Sequence, residues 1–319
     1  MRRIGLAIVL ALGLLAPPLI GEGQQTQRVY RIGFLGETSL SDYSIPLAAL
    51  RRGLRDAGYQ EGTNLVIESR WAEERVGRLP GLAADLVRLK VDLIVTHGAA
   101  GSRAANQATA TIPIVFATAG DAVRSGLVTS FAHPGGNMTG FSIRESDVMG
   151  KRLDLLKQAA PTVSRIVLLR SGAEDVDQQE EITAARALGL ELKKAKIDPK
   201  DPTHVFLHAA QHDVDAILVE DTLAHAATIA ALAVQHRLPT IGTPQLAEAG
   251  FLLGYGPSVE DIYRRVAVLA DKILKGAKPG DLPVEQPMKF DLVINLKTAK
   301  ALGLIIPQSV LIRANQVIE

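Results

Sequence analysis

At 319 residues, 47% apolar and 22% charged, the chain has ordinary globular composition and length for two moderate domains, which argues against disorder. Its formal charge of +1 gives no electrostatic reason to seek nucleic acid or an anionic membrane. With no cysteine, it has no disulfide, thiol nucleophile, thiolate metal site or lipid-bearing cysteine.

The first residues stand apart. Arg2 and Arg3 are followed by an uncharged run, Ile4 to Ile20, and then by Gly21-Glu22-Gly23. This pattern reads as a secretory signal peptide over residues 1–23. A transmembrane anchor fits less well, because the run is short and broken by Pro17-Pro18. Removal of residues 1–23 leaves 33 basic against 33 acidic side chains. The mature chain is expected to be periplasmic and soluble, without membrane insertion.

Strand-length apolar runs then alternate with helical patterns. Val29–Leu35 predicts a strand, Pro46–Ala57 a helix, Asn64–Glu68 a strand and Leu79–Leu89 a helix. Val91–Thr96 predicts a strand, Ser102–Thr109 a helix and Ile112–Ala117 a strand. After a small-residue loop the rhythm resumes with a helix over Asp147–Ala160 and a strand over Arg165–Leu169. A helix over Glu180–Leu188, a strand over Leu190–Ile197 and a helix over Thr203–Gln211 come next. Asp215–Val219, Pro239–Gly242 and Phe251–Tyr255 predict strands, with helices over Ala224–His236 and Ser258–Lys275. Such alternation implies parallel sheets with helices on both faces: an α/β protein of two doubly wound lobes. Residues 279–292, extended and proline-punctuated, suit a segment crossing between them. The expected division is residues 28–143 plus 256–287 for lobe I and 144–255 plus 288–319 for lobe II.

Ligands of open parallel sheets bind beyond the carboxyl ends of the strands. Those ends read Gly36-Glu37-Thr38-Ser39, His97-Gly98-Ala99-Ala100, Thr118-Ala119-Gly120-Asp121, Arg170-Ser171-Gly172, Glu220-Asp221-Thr222 and Gly242-Thr243-Pro244. Helix-start N–H groups there attract an anion, and Asp121, Glu220 and Asp221 suit an ammonium group. Helix capping is the competing role for each. Tyr255, flanked by Gly254 and Gly256, suits stacking on a ligand or packing in the core. Phosphate-loop, dinucleotide and nucleophile-elbow motifs are absent, so no catalytic residues, metal or cofactor are expected. His204, His208 and His212 share one helix face but lack the glutamate of a zinc-protease motif, and read as solvated. Asn137-Met-Thr matches a glycosylation acceptor, a short and weak pattern.

The sequence resembles the substrate-binding proteins of ABC importers, in the group that includes tryptophan- and other aromatic amino-acid-binding members. The likeness rests on "RIGFLG" from 31, "TIPIVFATAGDAV" from 111, "GLVTSFAHPGGNMTGFS" from 126, "YGPSVEDIYRRVA" from 255 and "FDLVINLKTAKALGLIIP" from 290. It implies the type I periplasmic binding protein fold: two lobes on a three-stranded hinge, with a small molecule in the cleft. It further implies delivery, without chemistry, to an inner-membrane ABC permease and its ATPase, and it implicates Gly98, Ala119, Asp121 and Tyr255. A sensory module for a membrane receptor and a secreted enzyme of the same fold are the alternative readings. Gly98-Ala99-Ala100, Ser171-Gly172, Glu220-Asp221-Thr222 and Gly242-Thr243-Pro244 depart from the common pattern at the cleft. An amino acid or related carboxylate, not tryptophan in particular, is the expected ligand. The 116–142 stretch is expected to form a binding loop, with Pro134–Gly140 turning the chain toward the hinge.

Overall fold

A computed structural model describes residues 28–41, 43–170, 179–196, 203, 206, 213–219 and 225–319. The expected signal peptide, the helix bearing His204, His208 and His212, and Ser171, Glu220 and Asp221 lie outside the described residues.

The first sheet comprises β1 (Tyr30–Gly36), β2 (Leu65–Trp71), β3 (Leu93–Thr96), β4 (Ile114–Phe116) and β5 (Met138–Gly140), all parallel, in the order β2-β1-β3-β4-β5. Its helices are α1 (Ser44–Asp56), α2 (Leu79–Arg88) and α3 (Gly98–Ala108). The second sheet comprises β6 (Arg165–Arg170), β7 (Glu191–Lys196), β8 (Ala216–Val219), β9 (Thr240–Gly242), β10 (Leu253–Pro257), β11 (Phe290–Asn295) and β12 (Gln316–Ile318). Their order is β12-β11-β10-β9-β8-β6-β7. With it go α4 (Glu145–Ala159), α5 (Gln179–Ala187), α6 (Ala226–Gln235), α7 (Pro244–Glu248), α9 (Leu296–Leu302) and α10 (Gln308–Leu311), whereas α8 (Val259–Leu274) packs on the first sheet.

Side-chain alternation along the strands builds two apolar layers on each sheet. On one face of the first sheet, Ile32, Phe34, Leu93 and Val95 meet Leu47, Leu50 and Leu54 of α1. Tyr263, Val266 and Ala270 of α8 close the same layer, so a helix late in sequence completes the first lobe. On the other face Leu35, Ile94 and Phe116 meet Leu79, Ala83 and Leu86 of α2.

Several features differ from the sequence expectation. β5 is too short and too glycine-rich to announce itself, and it is defined by pairing with β4. Pro134-Gly135-Gly136-Asn137 therefore sits at the amino end of β5, away from the carboxyl ends, and does not turn the chain into the hinge. The Asn137 amide is committed there, donating to the Thr109 and Ile112 carbonyls at 3.1 and 2.8 Å. Finally, β11 runs antiparallel to β10. The helix after β10 belongs to the other lobe, so the chain re-enters beside the end it left.

Three segments cross between the lobes: residues 141–144, 257–259 and 285–289. Glu285 N donates to Gly140 O at 2.8 Å, Ser142 N to Glu285 O at 2.9 Å and Ser258 N to Lys289 O at 2.9 Å. Pairing of adjacent crossings restrains the direction of relative lobe motion without forbidding it.

Candidate functional site

The chain leaves the first sheet at the carboxyl end of β5 and the second at the carboxyl end of β10. Apart from antiparallel β11, both sheets therefore turn their carboxyl ends toward the crossing segments.

On the first lobe these ends carry an aromatic wall. Trp71, at the end of β2, lies 5.3 Å from Phe34 and 5.4 Å from Tyr43 between ring centroids. Its ring covers Gly36, where a Cβ would stand 2.2 Å from it, so a side chain there would displace the indole. Tyr43 meets His97 edge-on at 5.4 Å, and His97 stacks on Tyr263 at 6.2 Å with 10° between the planes. His97 Nδ1 lies 3.1 Å from Tyr263 Oη, and Thr118 Oγ1 lies within 3.2 Å of both ring nitrogens. Burial pushes the His97 pKa down to about 4, so the imidazole is neutral at neutral pH. Burial, and then the Glu37 carboxylate, push Tyr263 up.

The first turn of α3 follows directly on β3, four residues earlier than the sequence suggests. Gly98 enters it at φ +75°, where a side chain would be strained. Glu37 Oε1 accepts from Gly101 N at 2.8 Å. Next to it, Thr38 Oγ1 is buried with no hydrogen-bond partner among the described residues.

The loop after β4 is held from behind by Ser142. Its hydroxyl donates to Gly120 O at 2.7 Å and accepts from Ala122 N at 3.1 Å. Asp121 turns its Oδ1 to Val123 N and Arg124 N, at 3.1 and 2.9 Å, which is the capping role weighed from sequence.

On the second lobe, Arg152 of α4 is 3% exposed. Its Nε donates to Tyr255 O at 2.7 Å, which puts a buried cation at the carboxyl ends of β8 and β10. Thr243 Oγ1, after β9, is the second such buried hydroxyl without a partner among the described residues. Tyr255 stacks on Phe290 at 5.7 Å and packs against the second core; burial pushes its pKa up, opposed by Arg313 and Arg152.

A family model described as ABC transporter substrate binding protein matches residues 46–318. The chain belongs to that family.

A tyrosine-binding protein of Clostridioides difficile is 27% identical over 261 residues, covering 79% of this chain and 75% of that one. The ABC domain of Streptococcus pneumonia in complex with L-Trp superposes at a TM-score of 0.82 with 26% identity. A conserved domain protein from Vibrio cholerae does so at 0.84, also with 26% identity. Each covers 91% of this chain and all of its own. The architecture is that of type I periplasmic binding proteins. This is a family of ligand-binding proteins, not of enzymes. Among the described residues no helix is long and apolar enough to cross a membrane.

Of the residues expected to form the substrate-binding site, Thr38, Ser39, Gly98, Ala99 and Ala119 stand together at the carboxyl ends of the first sheet. Thr243 and Tyr255 stand at those of the second. Ala119 is buried, and Ser39 Oγ contacts Ser41 Oγ at 2.6 Å. Sequence reasoning quoted Glu37, His97 and Thr118 within strand-end runs without singling them out. It did not find Trp71, Tyr43 or Arg152. One composition cue was available: Trp71 is the sole tryptophan, and it closes a strand.

Proposed function

We propose that this chain is the receptor of an ABC importer, closing its lobes on an amino acid with an aromatic side chain and passing it unchanged to an inner-membrane permease and its ATPase. Export to the periplasm after loss of residues 1–23 belongs to the same reading. The observation that carries it is Trp71, partly buried at the end of β2 and backed by the buried ring of Tyr43, with His97 beyond it. Such rings offer an apolar, face-selective surface to another ring, worth about 0.5–1.5 kcal/mol per pair beyond area burial. The ligands named for the relatives, tyrosine and L-Trp, support this class.

Thr38, Gly98, Ala99, Ala119, Thr243 and Tyr255 form the rest of the proposed lining. Two buried hydroxyls without partners among the described residues, one on each lobe, suit a ligand that satisfies them on closure. An unmet buried hydroxyl costs about 1–3 kcal/mol, and relief of that cost on both lobes would favour the closed form. Full switching from open to closed takes a preference of ~5.5 kcal/mol.

Selective excitation of Trp71 during titration with L-tyrosine and L-phenylalanine tests the proposal. Saturable emission changes, calorimetric binding and unaltered ligand on recovery are expected. Absence of binding to every aromatic amino acid, or consumption of any, would overturn it.

A further inference from the structure

A cavity of about 330 Å³ lies on the second lobe, within the size range of small-molecule sites, about 300–1,000 Å³. Val163, Asp215 and Pro239 line it just before β6, β8 and β9 begin, so it sits at the amino ends of those strands. That is the pole of the sheet opposite the carboxyl ends where the proposed amino-acid site lies. Ala160, from the end of α4, and Leu302 and Leu304, around the end of α9, complete the apolar wall with Val163 and Pro239.

Two charged side chains line the cavity, and one is already engaged. Asp215 Oδ2 accepts from Ser164 N, Ser164 Oγ and Arg165 N at 3.0, 2.7 and 2.9 Å, and its Oδ1 accepts from Arg165 Nη2 at 3.2 Å. Arg165 thus offsets the Asp215 charge. The Arg237 guanidinium, by contrast, makes no hydrogen bond or ion pair among the described residues. Its backbone is left-handed, at φ +55°, two residues past the end of α6. At the same place after α1, α5 and α8 the chain has Gly58, Gly189 and Gly276, which adopt that conformation without strain. A cation past a helix end gains a little from the helix dipole, as Lys90 does at φ +52° past α2. Arg237 differs in that its side chain lines a cavity.

We propose that this cavity is a second binding site, for a compact apolar carboxylate whose anionic end pairs with Arg237. The body of such a ligand replaces water against Val163, Pro239, Leu302 and Leu304. A guanidinium holds a carboxylate through two parallel hydrogen bonds, a geometry an uncharged amide cannot match in strength. The site is separate from the interlobe cleft and stands whether or not the cleft takes an aromatic amino acid.

Benzoate and benzamide, alike in shape and different in charge, provide the test. Each is titrated by calorimetry into wild type and Arg237→Gly, with L-tyrosine present in excess to occupy the cleft. Glycine removes the guanidinium and eases the left-handed turn, so the variant's thermal midpoint should equal or exceed that of wild type, and misfolding does not account for lost binding. Saturable binding of benzoate to wild type is expected, with benzamide at least about fivefold weaker and benzoate at least about fivefold weaker in Arg237→Gly. Three results each overturn the second site: no benzoate binding to wild type up to about 10 mM, an amide that binds as well as the acid, or a change below about fivefold in Arg237→Gly. None of these touches the proposed function, which is read from L-tyrosine binding itself.

Discussion

His97 offers a stability test that is independent of any ligand. Its ring packs against Tyr43, Tyr263 and Thr118, and burial lowers its pKa from 6.5 to about 4. In the unfolded chain the imidazole takes up a proton as pH falls through 6.5, while in the folded chain it resists until about 4. The unfolded state therefore binds more protons in this window, and stability falls with pH. The contribution is complete above the unfolded value and lost as pH drops through the folded one. Between about pH 7 and about pH 5 the loss from this group is about 2 kcal/mol. For a lobe of this size that corresponds to roughly 4–8 °C in the thermal midpoint. Asp215 does not interfere. Although burial by itself raises its pKa, hydrogen bonds from Ser164 and Arg165 hold it at about 2, below this window. His97→Gln keeps a polar side chain beside Tyr263 and Thr118 but cannot titrate. Thermal and urea unfolding of both proteins across this range should show a steeper fall for wild type by the stated amount. Parallel curves would refute the claim that His97 is buried neutral.

Gly36→Ala places a methyl group 2.2 Å from the Trp71 ring. The indole must move, at a cost of about 1–3 kcal/mol, with a red-shifted emission spectrum and weaker ligand binding. Replacing either orphan hydroxyl, Thr38→Val or Thr243→Val, should leave the ligand-free protein as stable or more stable by about 1 kcal/mol. Calorimetry should at the same time show a loss of affinity, and unchanged affinity in both variants would remove those hydroxyls from the site. Ser142→Ala removes the acceptor of Ala122 N and one of the two donors to Gly120 O, which keeps Ile143 N. It should cost about 1–3 kcal/mol, read by urea unfolding, and should speed amide exchange in the loop after β4.

The alternation of apolar runs with helical patterns determined the α/β class, because burial period and element length are local properties of the chain. Runs such as Arg165–Leu169 and Val91–Thr96 are legible for that reason. The strand ends were legible too, since their places follow from the order of elements; Thr38, Gly98 and Thr243 enter the proposed site on that ground. What tertiary structure alone decided is which of these groups still faces the cleft. Asp121 meets its own turn's N–H groups, Glu37 occupies the α3 start, and Trp71 reaches the proposed site from an edge strand whose neighbour is β1. β5 and the direction of β11 were equally invisible, because a three-residue strand is specified by its partners and a strand's sense by where the chain returns. The Asp121 cap is local, two and three residues along the chain, but the other cases share one physical reason. Their hydrogen-bond partners and ring contacts lie tens to hundreds of positions apart, and no short window along the sequence contains both members of the pair.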